Sequence, residues 1–143
     1  MKIGIVGCSK TKAEQSCKAK DMFRGSTSFR YRVKYAEKYL DDWMVLSAKY
    51  GLIHKDKIID PYSLTLPNKN GTRNPIYHKE PILDSEYMNG WNAVVTKQIF
   101  SLKAIPVYLA GKSYWQGLPR GETPLLNMRF GTQLKWLKER CEE

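Results

Sequence analysis

Residues 43–66 read WMVLSAKYGLIHKDKIIDPYSLTL. Trp43 to Ser47 is an apolar run of the kind buried on both faces of a parallel sheet. It breaks at Gly51, which is free to take the positive φ of a tight exit. A charged segment follows, and then Asp60-Pro61-Tyr62, where the proline keeps Asp60 out of the helical region. Residues 58–66 therefore read as extended. A strand that ends in a glycine turn and a polar loop brings functional groups to the mouth of an α/β sheet.

The same pattern appears on both sides. Towards the N-terminus, Lys2 to Cys8 is a continuous apolar strand followed by Ser9-Lys10-Thr11-Lys12. Towards the C-terminus, residues 104–110 form a third apolar strand followed by Gly111-Lys112-Ser113. Between them the spacing is helical. Ser26-Thr27-Ser28 offers N-cap oxygens ahead of Phe29, Val33, Ala36 and Leu40. This stripe is expected on the sheet, with Arg30, Arg32, Lys34 and Lys38 away from it. Asp84 or Ser85 caps a long helix to about Leu102, with Met88, Trp91, Val95, Ile99 and Leu102 on one face. A closing helix from about Arg129 carries Phe130, Leu134, Leu137 and Cys141 on its inner face. Residues 122–126 read as an edge strand, where Pro124 is tolerated. Residues 67–81 read as a basic surface loop. The expected architecture is a single domain over 1–143, a compact three-layer Rossmann-like α/β sandwich with a mainly parallel sheet. Its three strand exits converge on one edge.

Bulk properties narrow the partner. Lys and Arg number 24 against 14 Asp and Glu, a net charge of +10. That excess favours nucleic acid or phosphorylated small molecules, although solvated lysines serve solubility as well. It is concentrated early, because residues 10–38 hold nine cations against three acids, +6 of the total. No apolar run approaches the roughly 20 residues that span a bilayer. No membrane partner and a cytoplasmic setting are expected. Three cysteines without a CxxC pair argue against a disulfide framework or zinc site. His54 and His78 form no HxH or HxxxH pair, so no metal is expected, and no cofactor. A Walker loop is excluded, because Pro106 stands where Gly111-Lys112-Ser113 would need its first glycine. The chain offers little surface for reading a long duplex, which leaves room for a homodimer.

Five blocks occur in a recognisable order: GCSKTK (7–12), LSAKYGLI (46–53), DPYSLTL (60–66), LAGKSYW (109–115) and PLLNMRFGTQLKWL (124–137). With these the chain resembles the DUF6884 family of bacterial and phage proteins. That family is broadly similar to the peroxide-response YaaA proteins and to uracil-DNA-glycosylase-like α/β domains. The resemblance implies nucleobase or nucleic-acid chemistry in a bacterial or phage-infected cell, DNA glycosylases among the possibilities. Uracil-DNA glycosylases carry a D-P-Y-H run after their first strand. Here D-P-Y-S follows the second.

Breaking an N-glycosidic bond needs a carboxylate to stabilise an oxocarbenium-like sugar or to activate water. It also needs an aromatic platform for the base. Asp60 and Tyr62 are the candidates, with Lys49 to bind phosphate or stabilise the leaving base. The plainer alternative is a turn, with Asp60 on backbone N–H groups and Tyr62 in the core. Ser9 and Lys10 are candidate phosphate or sugar ligands. Cys8 lies beside them, as a nucleophile or as an inert buried thiol. Tyr50, Gly111, Lys112 and Tyr114 are expected along the pocket wall, and Arg129 at the same edge. Three functions remain open from the sequence: an enzyme of base cleavage or exchange, a non-catalytic nucleic-acid- or nucleotide-binding module, and a nucleotide-sensing or partner-blocking protein in phage–host conflict.

Overall fold

The computed structural model describes residues 1–62 and 85–142. The end of the extended run at Leu66, the loop over 67–81 and the cap at Asp84 lie outside them. The protein is a mixed α/β structure built on a four-stranded, mostly parallel sheet. β1 (Lys2–Gly7), β3 (Asp42–Ser47) and β6 (Ile105–Leu109) are its parallel strands, and β4 (Gly51–Ile53) is an antiparallel edge, in the order β4-β3-β1-β6. In register, Ile5 stands between Met44 and Tyr108. Ile5, Val6, Val45, Leu46 and Leu109 are fully buried, as continuous apolar runs require. A two-residue ladder joins β2 (Cys17–Lys18) to β5 (Ile58–Ile59).

β4 is an element that the sequence pattern did not announce. Gly51 does take positive φ, at 75°. That turn sends the chain straight back along β3, pairing Ser47 with Gly51 and Val45 with Ile53. A three-residue run, GLI, is too short to show a period. The free edge of β4 is closed by the amide of Gln98, which exchanges two 3.0 Å hydrogen bonds with the backbone of Leu52. A side chain thus stands in for a further strand on an exposed edge.

Five helices accompany the strands among the described residues: α1 (Ala19–Met22), α2 (Thr27–Tyr39), α3 (Ser85–Ser101), α4 (Lys112–Trp115) and α5 (Phe130–Glu142). Ser26 caps α2, its Oγ accepting from Phe29 N at 3.2 Å. α2 packs on β1, β3 and α5, and α3 packs on β4. Gly4 makes room for α2, since a Cβ there would lie 3.1 Å from both Ala36 and Leu40. Trp91, Val95 and Ile99 of α3 are buried, with Met88 and Leu102 half-buried, as their spacing predicts.

Three expectations are corrected. Residues 122–126 form no strand. Only Glu122 bridges β6, accepting from Tyr108 N and donating to Pro106 O, both at 2.9 Å. Pro124 has no N–H with which to extend a ladder, and the chain turns instead. Phe130 is 65% exposed, because it begins α5 beyond the part that packs, whereas Leu137 is fully buried. Arg32, read as part of a solvated face, is only 8% exposed. It lies three residues after Phe29 and four before Ala36, so helical spacing puts it on their face, and α5 then covers it.

The Glu122 contact yields a prediction. Gly121 sits so close to β6 that an added Cβ would overlap the Pro106 carbonyl oxygen and approach its Cγ to 2.7 Å. Gly121→Ala is expected to lower stability by about 1–3 kcal/mol. Urea titration of both proteins measures this, and an unchanged midpoint would show that the segment shifts outward at no cost.

Candidate functional site

The strand exits meet at the carboxyl end of the parallel sheet. Pairing of β1 with β3 continues one residue past the strand, Cys8 N donating to Leu46 O at 2.9 Å. This brings the Cys8 thiol beside the end of β3. Ser47, fully buried, shapes the exit there: its Oγ accepts from Lys49 N at 3.2 Å and Tyr50 N at 3.0 Å. Those two bonds occupy the lone pairs of the hydroxyl. Its proton is therefore directed at Tyr62 Oη, 2.6 Å away. The Cys8 thiol lies close enough to the Tyr62 phenol to raise its pKa. Cys8 Sγ also lies 3.4 Å from the Tyr114 hydroxyl. A chain of polar groups, Ser47–Tyr62–Cys8–Tyr114, thus crosses the ends of all three parallel strands.

Aromatic contacts hold this chain in place. Tyr62 packs edge-on against Tyr50 at 5.7 Å and Phe23 at 6.5 Å. Tyr114 packs edge-on against Trp91 at 6.2 Å, and Trp91 Nε1 donates to Ser47 O at 3.0 Å. α3 is thereby pinned to the same exit. On the far side of Tyr50 lies an open cleft of about 390 Å³. Lys49, Tyr50 and Gly51 form one wall, and Gly90, Trp91 and Val94 of α3 the other.

Two cations stand at this end of the sheet. Lys12 Nζ stands 4.7 Å from the centre of the Tyr62 ring and 6.0 Å from that of Phe23, and donates to Lys10 O at 3.3 Å. Burial pulls its pKa below that of an ordinary lysine, opposed by the nearby Cys8. Arg32 reaches the same end of the sheet from α2. Its Nη1 lies 3.6 Å from where a Gly7 side chain would begin. Nη2 donates to Gln133 Oε1 at 3.3 Å, and Nε has no hydrogen-bond partner among the described residues. Burial lowers its pKa, opposed by Cys8 and Tyr114. From so high an ordinary value the guanidinium remains charged.

Asp60 occupies the rim. The β2–β5 ladder sets Ser16 across from it, and Ser16 Oγ donates to its carboxylate. Its backbone N donates to the Tyr50 hydroxyl at 3.4 Å. The carboxylate is exposed, two residues from buried Tyr62.

Of the residues singled out by sequence, Cys8, Tyr50, Tyr62 and Tyr114 come together. Lys49 lies beside them, its Nζ 5.6 Å from the Tyr50 ring. Ser9 spends its hydroxyl on its own loop, donating to Thr11 O at 3.0 Å. Lys10, Lys112 and Arg129 are exposed, and Gly111 is the residue ahead of α4. None of these is drawn into the buried cluster. Sequence reasoning had Lys12 only within the basic loop after strand one and Arg32 only on a basic helix face, although the burial of Arg32 was legible from its spacing to Phe29 and Ala36. It missed Ser47 and Trp91 as site residues, and these needed the fold. Among the described residues no group of His, Cys, Asp or Glu could hold a metal ion, and no helix is long and apolar enough to cross a membrane.

The buried phenols set an alkaline limit. Burial raises Tyr62 well above an ordinary tyrosine, with Cys8 adding to the effect, and pushes Tyr108 up to about 12. The folded state then holds protons that the unfolded chain releases near pH 10, so stability falls as pH rises through and above that value. Lys12, with its lowered pKa, acts in the opposite sense, but only up to the ordinary lysine value of 10.5. Urea midpoints measured from pH 9 to 12 are expected to drop steeply above about pH 10.5, and Tyr62→Phe should flatten the drop. A wild-type midpoint that stays level across that range contradicts the assignment.

No curated protein matches the chain. The model of DUF6884, a family of unknown function, matches residues 3–139, so the blocks and the strand exits that they encode fall almost wholly within it. The chain belongs to the DUF6884 family.

Proposed function

We propose that this protein processes nucleobases in nucleotides or nucleic acid, by cleaving or exchanging an N-glycosidic bond at the carboxyl edge of its sheet. One observation carries the reading. The Tyr50 hydroxyl holds the Asp60 backbone while its ring packs on Tyr62, which sets a carboxylate at the mouth of an aromatic, cationic cluster. A base would enter the cleft between Tyr50 and Trp91, with Lys49 at its edge. Asp60 would stabilise the sugar cation or take a proton from the attacking water. The carbon–nitrogen bond breaks with its electron pair on the base, which leaves protonated, and water oxygen joins the sugar.

The finer layering belongs to the same proposal. Right-handed crossovers β1–α2–β3 and β3–α3–β6 would put α2 and α3 on opposite faces, giving a three-layer Rossmann-like sandwich. Its switch point would fall between β1 and β6, where Cys8 meets Tyr114, and ligands of such sheets bind there. A cytoplasmic setting, a nucleic-acid partner and a second copy of the chain to extend the surface complete this reading.

A second reading, binding without turnover, is favoured by the exposure of Asp60 and by its engagement with Ser16. The experiment is mass spectrometry of products after incubation with modified DNA, RNA and free nucleotides, alongside binding across a range of salt. A released base supports the enzyme. Binding that falls steeply with salt and yields no product from any substrate supports the module.

A further inference from the structure

A buried ion is strongly unfavourable without a partner, and buried charges are as a rule paired. Arg32 breaks that rule. It is 8% exposed, yet among the described residues its guanidinium meets an amide oxygen and no carboxylate. Gln133 does not neutralise it. Its Nε2 donates to Met128 O at 3.0 Å, which turns its oxygen toward Arg32 Nη2 and leaves Nε without an acceptor. Lys12, partly withdrawn from water, repeats the pattern with two aromatic rings and one backbone oxygen. Arg32 Nη1 lies 3.6 Å from where a Gly7 side chain would begin, and Lys12 Nζ lies 4.7 Å from the centre of the Tyr62 ring. Two positive charges and an unused N–H thus stand at the end of the sheet where β1 stops.

We infer that Arg32 and Lys12 form a seat for a phosphate monoester, the terminal phosphate of a nucleotide. Charge decides between a terminal phosphate and a link in a strand. A monoester carries about −1.5 to −2 at pH 7 and matches two cations, whereas a backbone phosphodiester carries a single charge. Burial points the same way. Arg32 is 8% exposed, and a phosphate with one substituent reaches so deep a group more readily than one with a chain on both sides. The planar fork of Arg32 suits phosphate oxygens better than a lysine would. For the rest of the ligand the inference rests on the nucleotide reading above. The seat itself does not.

The test is calorimetry and thermal shift on the full chain with four probes: inorganic phosphate, a nucleoside 5′-monophosphate, the matching nucleoside, and a single-stranded oligonucleotide without terminal phosphates. The monophosphate is expected to bind at least about tenfold more tightly than the nucleoside, since charged hydrogen bonds are at stake. Its affinity should fall below about pH 6, where the second phosphate proton returns. Arg32→Met should weaken the monophosphate about 10- to 100-fold and leave the nucleoside unchanged. Without ligand its melting point should equal or exceed that of the wild type, because an unpaired buried charge has been removed. A purely structural arginine gives the reverse, a lower melting point and unchanged monophosphate affinity, and overturns the inference. Should Arg32→Met fail to fold, Arg32→Lys decides, as unchanged affinity with the fork removed also overturns it. An oligonucleotide that binds as tightly as the monophosphate does so too. The seat and the proposed reaction fail separately. Base release without phosphate preference removes only the seat. Phosphate binding lost in Arg32→Met, with no base released from any substrate, removes only the reaction.

Discussion

Phe23→Ala is expected to lower the unfolding free energy by about 3–5 kcal/mol, the cost of emptying a fully buried phenyl site. Phe23 has no exposed surface. It joins the core to the candidate site, 5.3 Å from the Phe29 ring and 6.5 Å from that of Tyr62. Phe29 in turn packs edge-on against Trp43 at 6.4 Å, so one aromatic column runs from β3 past α2 and α1 to the Tyr62 ring. Truncation removes apolar contact and ring pairs together, the latter worth about 0.5–1.5 kcal/mol each. Phe23→Leu keeps most of the volume and should cost less than half as much. Urea unfolding followed by tryptophan fluorescence measures both. The expected result is a lower midpoint at unchanged slope, since the surface exposed on unfolding hardly changes. A loss below about 1 kcal/mol would mean that the column does not close the core at this point. The substitution should also loosen Tyr62 and Lys12, and the seat that Lys12 helps to form.

Asp60→Asn is expected to reduce base release by about 10²- to 10⁴-fold, the usual contribution of a positioned carboxylate to proton transfer or cation stabilisation. The change is nearly isosteric. The Ser16 hydroxyl can still donate to the amide oxygen, and the backbone bond from Asp60 N to the Tyr50 hydroxyl does not involve the side chain. Because Asp60 is exposed, stability should move by less than about 0.5 kcal/mol. Ligand affinity should persist, because the cations that would hold phosphate lie elsewhere. The measurement is the rate of base release under single turnover, with affinity determined on the same protein. Release at the wild-type rate with binding intact removes Asp60 from the chemistry and requires another group to carry it. Loss of rate together with loss of binding would assign Asp60 to holding the loop.

The elements of the fold were largely legible because their signals are local. The apolar runs at 2–8, 43–48 and 104–110 became β1, β3 and β6, each shifted by no more than a residue at either end. Helical spacing located α2, α3 and α5, and Ser26 supplied the cap that its position suggested. Pairing was less legible. Nothing in the runs says that β1 lies between β3 and β6, because strand order follows from how helices cross the sheet. The return of the chain along β3 after Gly51 escaped notice because three residues carry no pattern.

The site divides along the same line. Cys8, Tyr62 and Tyr114 could be selected by residue type and by position after a strand. That they meet depends on parallel register across residues more than a hundred positions apart. Arg32 and Asp60 show the difference most clearly. Helical spacing alone puts Arg32 on the face of Phe29, yet its charge is withdrawn from water because α5, some hundred residues later, lies over it. Asp60 has the chemistry of a catalyst and a surface position, set by the short ladder to residues 17 and 18. By itself the sequence determined the three parallel strands, the three long helices, the family blocks and an excess of positive charge. Only the tertiary structure decided which charges are buried and which carboxylate stays in water. Burial is a property of what packs over a residue, and at Arg32 and Asp60 that partner comes from a distant part of the chain.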